Sequence, residues 1–521
     1  MMHDRESLPQ DVGKLQGLVG ELLDHIQSLQ SENQQLKHQL AIALQLNYGR
    51  RSEKLNPAQL RLLFTQEDAA TTPPPVIAPK YLHDAPDAEE PPVRKKRRGT
   101  AHPGRVALPE QLPRERIEIH PEQRHCPGCQ GELKRLGEEI TEELGRVPAR
   151  FFVRQYVRVK YACPRCQDQI LRPELPPRLF DKAKAGGDVV AEIAVAKYAD
   201  HLPLHRQAGI YRREGVALDK ATMCDWLARG AELLAPIVQE MQRQLLRSPV
   251  VQSDDTPLQY LEPGGDRAAK RGYLWTYLSY EGDVLYDFTT SRARAGPSRF
   301  LGGYQGYLQV DGYAGYNEVV STAGVAPVAC WAHARRKFVE ARDSDPHAAA
   351  AALLVIRALY EIEARAKDAN LDVTAIAALR QQEATPALAD LAGLLQAIVA
   401  HELPQSPIAK AAAYAWERWP ALCRYCEDGR LAIDNNAAER AMRRVAVGRK
   451  NWLFAGSEAG GHRAAIYYSL IETCSRHRID PRVYLTDVLE RISTHPQRRI
   501  AELTPRGWLA ARSATADTPS I

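Results

Sequence analysis

The chain has 521 residues, 44% of them apolar and 26% charged, and its 69 basic and 64 acidic side chains leave a net charge of +5. This balance belongs to a globular protein of several domains and excludes a wholly disordered, collagen-like or membrane-embedded chain. So small a net charge does not prove a nucleic-acid partner, and the distribution of charge must be read instead.

The longest apolar run, Ala348 to Ile356, is nine residues, far short of the roughly 20 a bilayer requires, so no spanning segment is expected. The N-terminus, Met1-Met2-His3-Asp4-Arg5-Glu6, lacks an apolar signal core and points to the cytoplasm. Nine cysteines are too few for a disulfide scaffold of this size. In a reducing compartment, paired cysteines more often hold metal or pack in a core.

Residues 1–65 carry a heptad pattern. Leu15, Leu22, Leu29 and Leu36 occupy d positions, and Val12, Val19, Ile26, Asn33 and Leu40 occupy a positions. β-branched residues at a, Leu at d and one Asn at a favour a two-stranded coiled coil, hence a homo-oligomer. An amphipathic helix packed on its own chain is the alternative, and Gly13, Gly17 and Gly20 weaken the first turns. Residues 66–115 read as a linker. Ten prolines fall between Thr71 and Pro113, and an acidic stretch, Asp84 to Glu90, precedes the basic run Arg94-Lys95-Lys96-Arg97-Arg98. Such a segment cannot bury enough apolar surface to fold, and the basic run suits phosphate contacts or plain solvation.

Residues 116–180 read as a zinc-binding domain. Cys126-Pro-Gly-Cys129 and Cys163-Pro-Arg-Cys166 form two CxxC knuckles separated by 33 residues. Four soft thiolates suit one closed, structural zinc ion. Between them Phe151-Phe152-Val153, Val157, Val159 and Tyr161 alternate as strands do. Residues 181–247 read as helices in a helix-turn-helix outline. His201-Leu202-Pro203 ends the first helix, Gly215 ends the second, and Asp219 caps the third. Arg206, Arg212, Arg213 and Lys220 give the region a basic character that suits DNA binding.

After Pro249 the pattern changes to strands. Val250–Asp254, continued by Leu258–Leu261, is followed by Tyr273–Leu278 and Val284–Phe288. A short helix near Ser298–Leu301, the strand Tyr307–Asp311, the strand Val325–Trp331 and the helix Ala332–Arg342 complete residues 248–344. This order predicts a mixed α/β sheet of the ribonuclease H kind. Residues 345–430, rich in Ala and Leu, read as a helical insertion. Residues 431–465 return to the core, and residues 466–521 form a C-terminal helical element ending, from Pro505, in a flexible tail.

Two acids fall at strand positions, Asp254 and Asp311. A carboxylate on an apolar strand is costly unless it binds something. If the two strands are neighbours, the acids repel unless a cation lies between them, and hard oxygen donors select magnesium or manganese. A third acid, Glu439, follows 128 residues after Asp311 in Ile433-Asp-Asn-Asn-Ala-Ala-Glu-Arg-Ala-Met-Arg-Arg444. Asp434 or Asn435 can cap that helix, and Arg443 lies one turn beyond Glu439. Gly448-Arg-Lys-Asn-Trp-Leu-Phe-Ala-Gly-Ser457 adds cations and aromatics, as a phosphate-handling cleft requires.

These motifs together resemble the insertion sequence 66 family of bacterial transposases. The likeness is carried by Ser-Asp254-Asp-Thr-Pro, Val-Asp311-Gly-Tyr-Ala-Gly-Tyr-Asn, Cys330-Trp-Ala-His-Ala-Arg-Arg-Lys-Phe, the Glu439 motif and Gly448-Arg-Lys-Asn-Trp. It extends to Tyr48–Leu55, to the two cysteine knuckles, and to Ser469–Cys474 with Tyr484–Leu489. The resemblance implies a DDE transposase in which Asp254, Asp311 and Glu439 hold two magnesium or manganese ions. It implies terminal inverted repeats and target DNA as partners, no membrane, and two small accessory proteins encoded nearby. One departure is Asp255, where the family usually has Glu. Arg443, Arg449 and Lys450 are the expected phosphate contacts. His333 and Arg336, after Cys330, are expected at the DNA end or in a structural role. Two other readings stay open. One is a tyrosine recombinase using His333-Ala-Arg-Arg336 and Tyr360, and the other is a zinc-dependent DNA-binding regulator with an inactive core.

Overall fold

The computed structural model describes residues 151–162, 170–171, 174–180, 184–262 and 269–516, with Gly20 and His25. The predicted linker, the rest of the coiled coil, and Cys126, Cys129, Cys163 and Cys166 lie outside them. Two compact units divide the chain, residues 86–155 and the remainder. In the first, the described residues 151–155 carry no regular structure.

In the second unit Tyr161–Ala162 (β1) pairs antiparallel with Ile170–Leu171 (β2). Residues 156–160 are irregular, as are 151–155, which corrects the strand expectation there. Phe152, Val153 and Val157 remain 66–91% exposed. An alternating run becomes a strand only where another strand pairs with it, and none among the described residues does.

Three helices follow: α1 (Gly187–Tyr198), α2 (Leu204–Arg213) and α3 (Lys220–Leu245). His201 takes a positive φ of 61° at the first break and Gly215 one of 87° at the second. The Asp219 carboxylate accepts the Thr222 amide at 2.8 Å and starts α3. These helices share a core with the C-terminal region. Tyr198 stacks on Tyr467 at 5.1 Å, and the Tyr467 hydroxyl donates to the Leu227 carbonyl at 2.9 Å.

The main sheet contains β3 (Val250–Tyr260), β4 (Lys270–Ser279), β5 (Val284–Thr289), β6 (Gly306–Gln309) and β7 (Val325–Val328). Its order is β5-β4-β3-β6-β7. The first three strands are antiparallel hairpin neighbours, and β6 and β7 add parallel to β3. Between the strands lie α4 (Ala295–Phe300) and α5 (Asn317–Val320). Strand β7 is shorter than expected, because Trp331 already begins helix α6 (Trp331–Ala341). Pro257 fits inside β3 because β6 has already left that edge, where it pairs only with Val250–Gln252.

Both sheet edges are covered. At β5 the amides of Val284 and Tyr286 donate to the hydroxyls of Thr473 and Ser469, each at 2.9 Å. Those hydroxyls sit one turn apart on α13 (Glu458–Arg476), so a helix caps an edge that would otherwise template aggregation. At the β7 end the Ala329 amide donates to the Ala421 carbonyl at 3.0 Å.

The insertion comprises α7 (Pro346–Asp368), α8 (Val373–Leu379), a π-turn at Arg380–Ala384, α9 (Thr385–His401), α10 (Pro407–Glu417) and α11 (Trp419–Cys423). Alanines 349–352 let α7 approach its neighbours closely, in one apolar core with α6, α9, α10 and β7. Residues Val373–His401 are, among the described residues, the one helical stretch long and apolar enough to cross a membrane. Leu388, Leu391, Leu395 and Ile398 of that stretch are packed in this core. The chain then returns to α12 (Asn436–Trp452), α13, α14 (Pro481–Arg491) and α15 (Pro505–Ala516). Helix α15 corrects the expected flexible tail. Trp508 is buried against Tyr484 and donates to Asp487 at 2.7 Å, an anchor that composition alone does not reveal.

Arg380 clamps the return segment. Its guanidinium pairs in bidentate fashion with Glu363, both contacts at 2.7 Å. It also donates to the carbonyls of Tyr425, Asp428 and Leu431 at 2.7–3.0 Å. All five N–H groups are used in a side chain only 3% exposed. Arg380→Ala strands the Glu363 carboxylate and three carbonyls, and is expected to cost about 3–5 kcal/mol. A lowered thermal midpoint checks this, and an unchanged one refutes the clamp.

Candidate functional site

The site is built from one short pattern used twice. Gln252-Ser-Asp254 lies in β3, and Gln309-Val-Asp311 begins in β6 and runs just beyond it. The two glutamines are register partners in the parallel ladder, and their side chains hydrogen-bond at 2.7 Å. Both aspartates therefore lie two residues past the same rung, and alternation within β3 puts Asp254 on the face that carries the glutamines. The Gln309 amide donates onward to the Ala432 carbonyl at 2.7 Å. This buried ladder ties the two Asp-bearing strands to the segment that leads into α12.

Asn435 makes the next connection. It is fully buried, its side-chain amide donates to the Ser253 carbonyl at 2.9 Å, and its backbone amide donates to Cys330 Sγ at 3.2 Å. One residue thus joins β3, the start of α6 and the start of α12. Asn435 holds the N-cap position without a side-chain cap bond, and Asp434 just before it accepts from the Asn436 amide at 3.1 Å and from the Tyr360 hydroxyl at 3.1 Å. Glu439 then falls in the first turn of α12. Met442 and Ala441 fix that helix on the sheet through Thr276, the cross-strand partner of Asp254, and Tyr286.

The three acids, separated by up to 185 residues, act on one another. Burial, and then the charges of Asp311 and Glu439, push the Asp254 carboxyl up to about 7. They do not form a closed cluster at metal-binding distances among the described residues. Asp311 is held by the Tyr313 amide at 2.9 Å. Its neighbour Gly312 has φ of 86°, and a Cβ there would meet Arg418 Nε at 2.7 Å.

Asp255 has a different environment. Alternation turns it to the opposite face, where Arg292 holds it in bidentate fashion at 2.7–3.0 Å and it is 4% exposed. Arg292 in turn stacks on the Tyr313 ring at 3.7 Å. Burial raises the Asp255 carboxyl and Arg292 pulls it back. Of the adjacent pair, Asp255 has a dedicated counter-ion and Asp254 faces the other acids.

The remaining expected residues sort by position. His333 Nε2 lies 3.8 Å from Glu439 Oε1, and its Nδ1 is buried without a partner. Cys330 is buried, and burial pushes its thiol up to about 11. Arg336 is exposed on α6. Arg443 and Lys450 are exposed on α12, whereas Arg449 donates to the Thr256 hydroxyl at 2.8 Å and the Pro257 carbonyl at 2.6 Å. Tyr360 is half-buried in α7, and burial raises its phenol strongly. Sequence reasoning missed Gln252, Gln309 and Arg380, and offered Asn435 only as a helix cap. The repeated Gln-x-Asp was the available signal for the first two.

Comparison with known proteins fits this geometry. Residues 182–463 match the model described as Transposase IS66 family. Residues 123–167 match the zinc-finger binding domain of that transposase, and 469–506 match its C-terminal element. Residues 35–117 match the model described as Transposase C of IS166 homeodomain. The uncharacterized protein y4jD of Sinorhizobium fredii (strain NBRC 101917 / NGR234) is 34% identical over 525 residues, covering 97% of this chain and 98% of its own. The uncharacterized protein y4hP of the same strain is 32% identical, over 90% of this chain and 87% of its own. This chain belongs to the IS66 family of transposases. The family domains support a transposase role with DNA as partner, and the use of zinc and a divalent metal.

The raised Asp254 carboxyl has a testable consequence. In metal-free protein the folded state holds this proton up to about pH 7, while an unfolded Asp releases it near pH 4. Stability from this group is thus present at low pH and lost as pH rises between those values. Asp254→Asn should match the wild type near pH 4 and exceed it at pH 8 by the order of a few kcal/mol. Urea denaturation across that range measures the difference, and parallel curves would contradict it.

Proposed function

We propose that this protein is a DDE transposase that cleaves a strand at each transposon end and joins the freed 3′-hydroxyl to target DNA. The observation that carries the reading is geometric: the parallel register pairs Gln252 with Gln309, so Asp254 and Asp311 each follow the same rung by two residues, and Asn435 ties the start of the Glu439 helix to Ser253. The strand order, three antiparallel strands with two parallel ones added beside the first, supports a ribonuclease H-like core.

Three hard carboxylate donors and one carboxyl unwilling to ionise alone fit a pair of magnesium or manganese ions. Such ions, when bound, activate an attacking hydroxyl and stabilise the leaving oxygen of an in-line phosphoryl transfer. Asp254 and Asp311 would hold them from neighbouring strands, and Glu439 would complete the set from α12. His333, beside Glu439, would orient that carboxylate. Asn435 and the glutamine ladder hold the two strands and the start of α12 in register. The exposed Arg443 and Lys450 would contact DNA phosphates, and Arg449 would support them by bracing α12 against β3.

The four cysteines Cys126, Cys129, Cys163 and Cys166 would bind one structural zinc ion, a reading supported by the zinc-finger match over 123–167. The N-terminal heptads would make the protein a homo-oligomer, and two small accessory proteins would act with it.

Asp254→Asn, Asp311→Asn and Glu439→Gln should each lower magnesium-dependent cleavage of end-containing DNA about a thousandfold or more, as loss of roughly 4 kcal/mol of transition-state stabilisation implies. Asp255→Asn should cost far less. Chelation of magnesium should stop the reaction, and no covalent protein–DNA adduct should form. Cleavage that survives all three substitutions would sink the reading. Separately, Cys126→Ser with Cys129→Ser should lower bound zinc, measured by elemental analysis, from about one ion per chain towards none.

A further inference from the structure

Helix α12, which carries Glu439, exposes a single stripe. Arg440, Arg443, Val447 and Lys450 are spaced three, four and three residues apart, and all four are exposed. The stripe runs straight into Leu453 and Phe454, which are 63% and 39% exposed. With Val447 they make a contiguous apolar tip on a row of cations, and it is the grouping of exposed apolar side chains that marks an interaction surface.

The backbone beneath them is strained. Leu453 has φ of 64° and ψ of −48°, and the Phe454 amide donates to the Trp452 carbonyl at 2.7 Å. This is a γ-turn of the rare, strained hand, with a bulky residue at its apex where glycine would be cheapest. The turn is fixed on both sides. Arg449 braces the end of α12 on Thr256 and Pro257. Directly after the turn, the Ala455 amide donates to the Gln259 carbonyl at 2.8 Å, and the Leu261 amide donates to the Ala455 carbonyl at 3.0 Å. The strand that carries Asp254 and the helix that carries Glu439 therefore both hold the tip outward. Strain of this kind collects where a ligand is gripped.

We propose that Leu453 and Phe454 form a wedge that enters the stacked bases of a DNA duplex lying along α12. This rests on the transposase reading above and adds to it a site of base unstacking. The occupant follows from charge and shape together. The three cations suit a phosphate backbone, and the apolar tip suits the faces of bases opened beside it. Spacing locates the opened step. Leu453 lies fourteen residues beyond Glu439, or about 21 Å at the helical rise of ~1.5 Å per residue. At about 3.4 Å per base pair, the unstacked step falls roughly six base pairs from the phosphate held at the acids.

The test uses the full-length protein and a duplex spanning the terminus of the element, with 2-aminopurine placed singly at successive positions and calcium in place of magnesium. At saturating protein, one position about six base pairs from the cleavage point should brighten severalfold. Leu453→Gly is the decisive variant, because glycine accepts this backbone without strain. It should keep or raise the thermal midpoint and abolish the brightening. Phe454→Ala should reduce it. Arg443→Gln and Lys450→Gln should each reduce the slope of log affinity against log salt by about one. No bright position, brightening that persists in Leu453→Gly, or a fall in that variant's thermal midpoint would overturn the wedge. Cleavage in magnesium, measured in parallel, separates the two readings. Brightening without cleavage by the wild type leaves the wedge standing and removes the nuclease chemistry. Cleavage without brightening does the reverse.

Discussion

A buried carboxyl that faces two other acids is the constraint on which the site depends. Asp254 sits in a strand interior, where burial alone disfavours its charge, and Asp311 and Glu439 add to the penalty. A fold tolerates such an arrangement only if the surrounding structure holds the acids in place. Here that support is polar, buried and continuous. Gln252, Gln309 and the Ala432 carbonyl form one line, and Asn435 ties Ser253 to Cys330 and α12. Buried hydrogen bonds of this kind rigidify because leaving any one unmade is costly.

The helical insertion separates Asp311 from Glu439 in the chain, yet it helps to set their relation in space. Arg380 collects the carbonyls of Tyr425, Asp428 and Leu431 just before the chain re-enters the core. Tyr360 donates to Asp434, whose carboxylate accepts the first amide of the Glu439 helix. The insertion therefore acts as a buttress for the third acid. The C-terminal element serves the far side of the sheet in the same way, with Ser469 and Thr473 closing the β5 edge. The helices of residues 187–245 are also fused to this body, through Tyr198 and Tyr467, so α1 and α3 share a core with α13.

Much of this was legible beforehand. The strands around Tyr273–Leu278 and Val284–Phe288 announce themselves by β-branched and aromatic residues, and Asp219 announces the start of α3. The three acids could be named because Asp254 and Asp311 fall at strand positions, Glu439 follows a helix start, and the motifs around all three resemble those of the insertion sequence 66 family. Other features were hidden. Residues 151–160 alternate convincingly, but alternation cannot say whether a partner strand exists. The last helix looked like a tail because one tryptophan's partner, Asp487, lies on a different element. Asp254 and Asp255 are the same residue type side by side, and the counter-ion that neutralises one of them, Arg292, reaches Asp255 from 37 residues away.

What the sequence determined by itself was most of the inventory: most of the helices and strands, which side chains are carboxylates, and where the cations lie along α12. These depend on local backbone preference and on the spacing of side chains, which the order of residues contains. What only the tertiary structure decided was convergence. The pairing of Gln252 with Gln309, the burial of Asn435, the clamp at Arg380 and the outward strain at Leu453 all join residues distant in the chain. Their energies come from contacts and desolvation that exist only after the sheet, the insertion and α12 have come together.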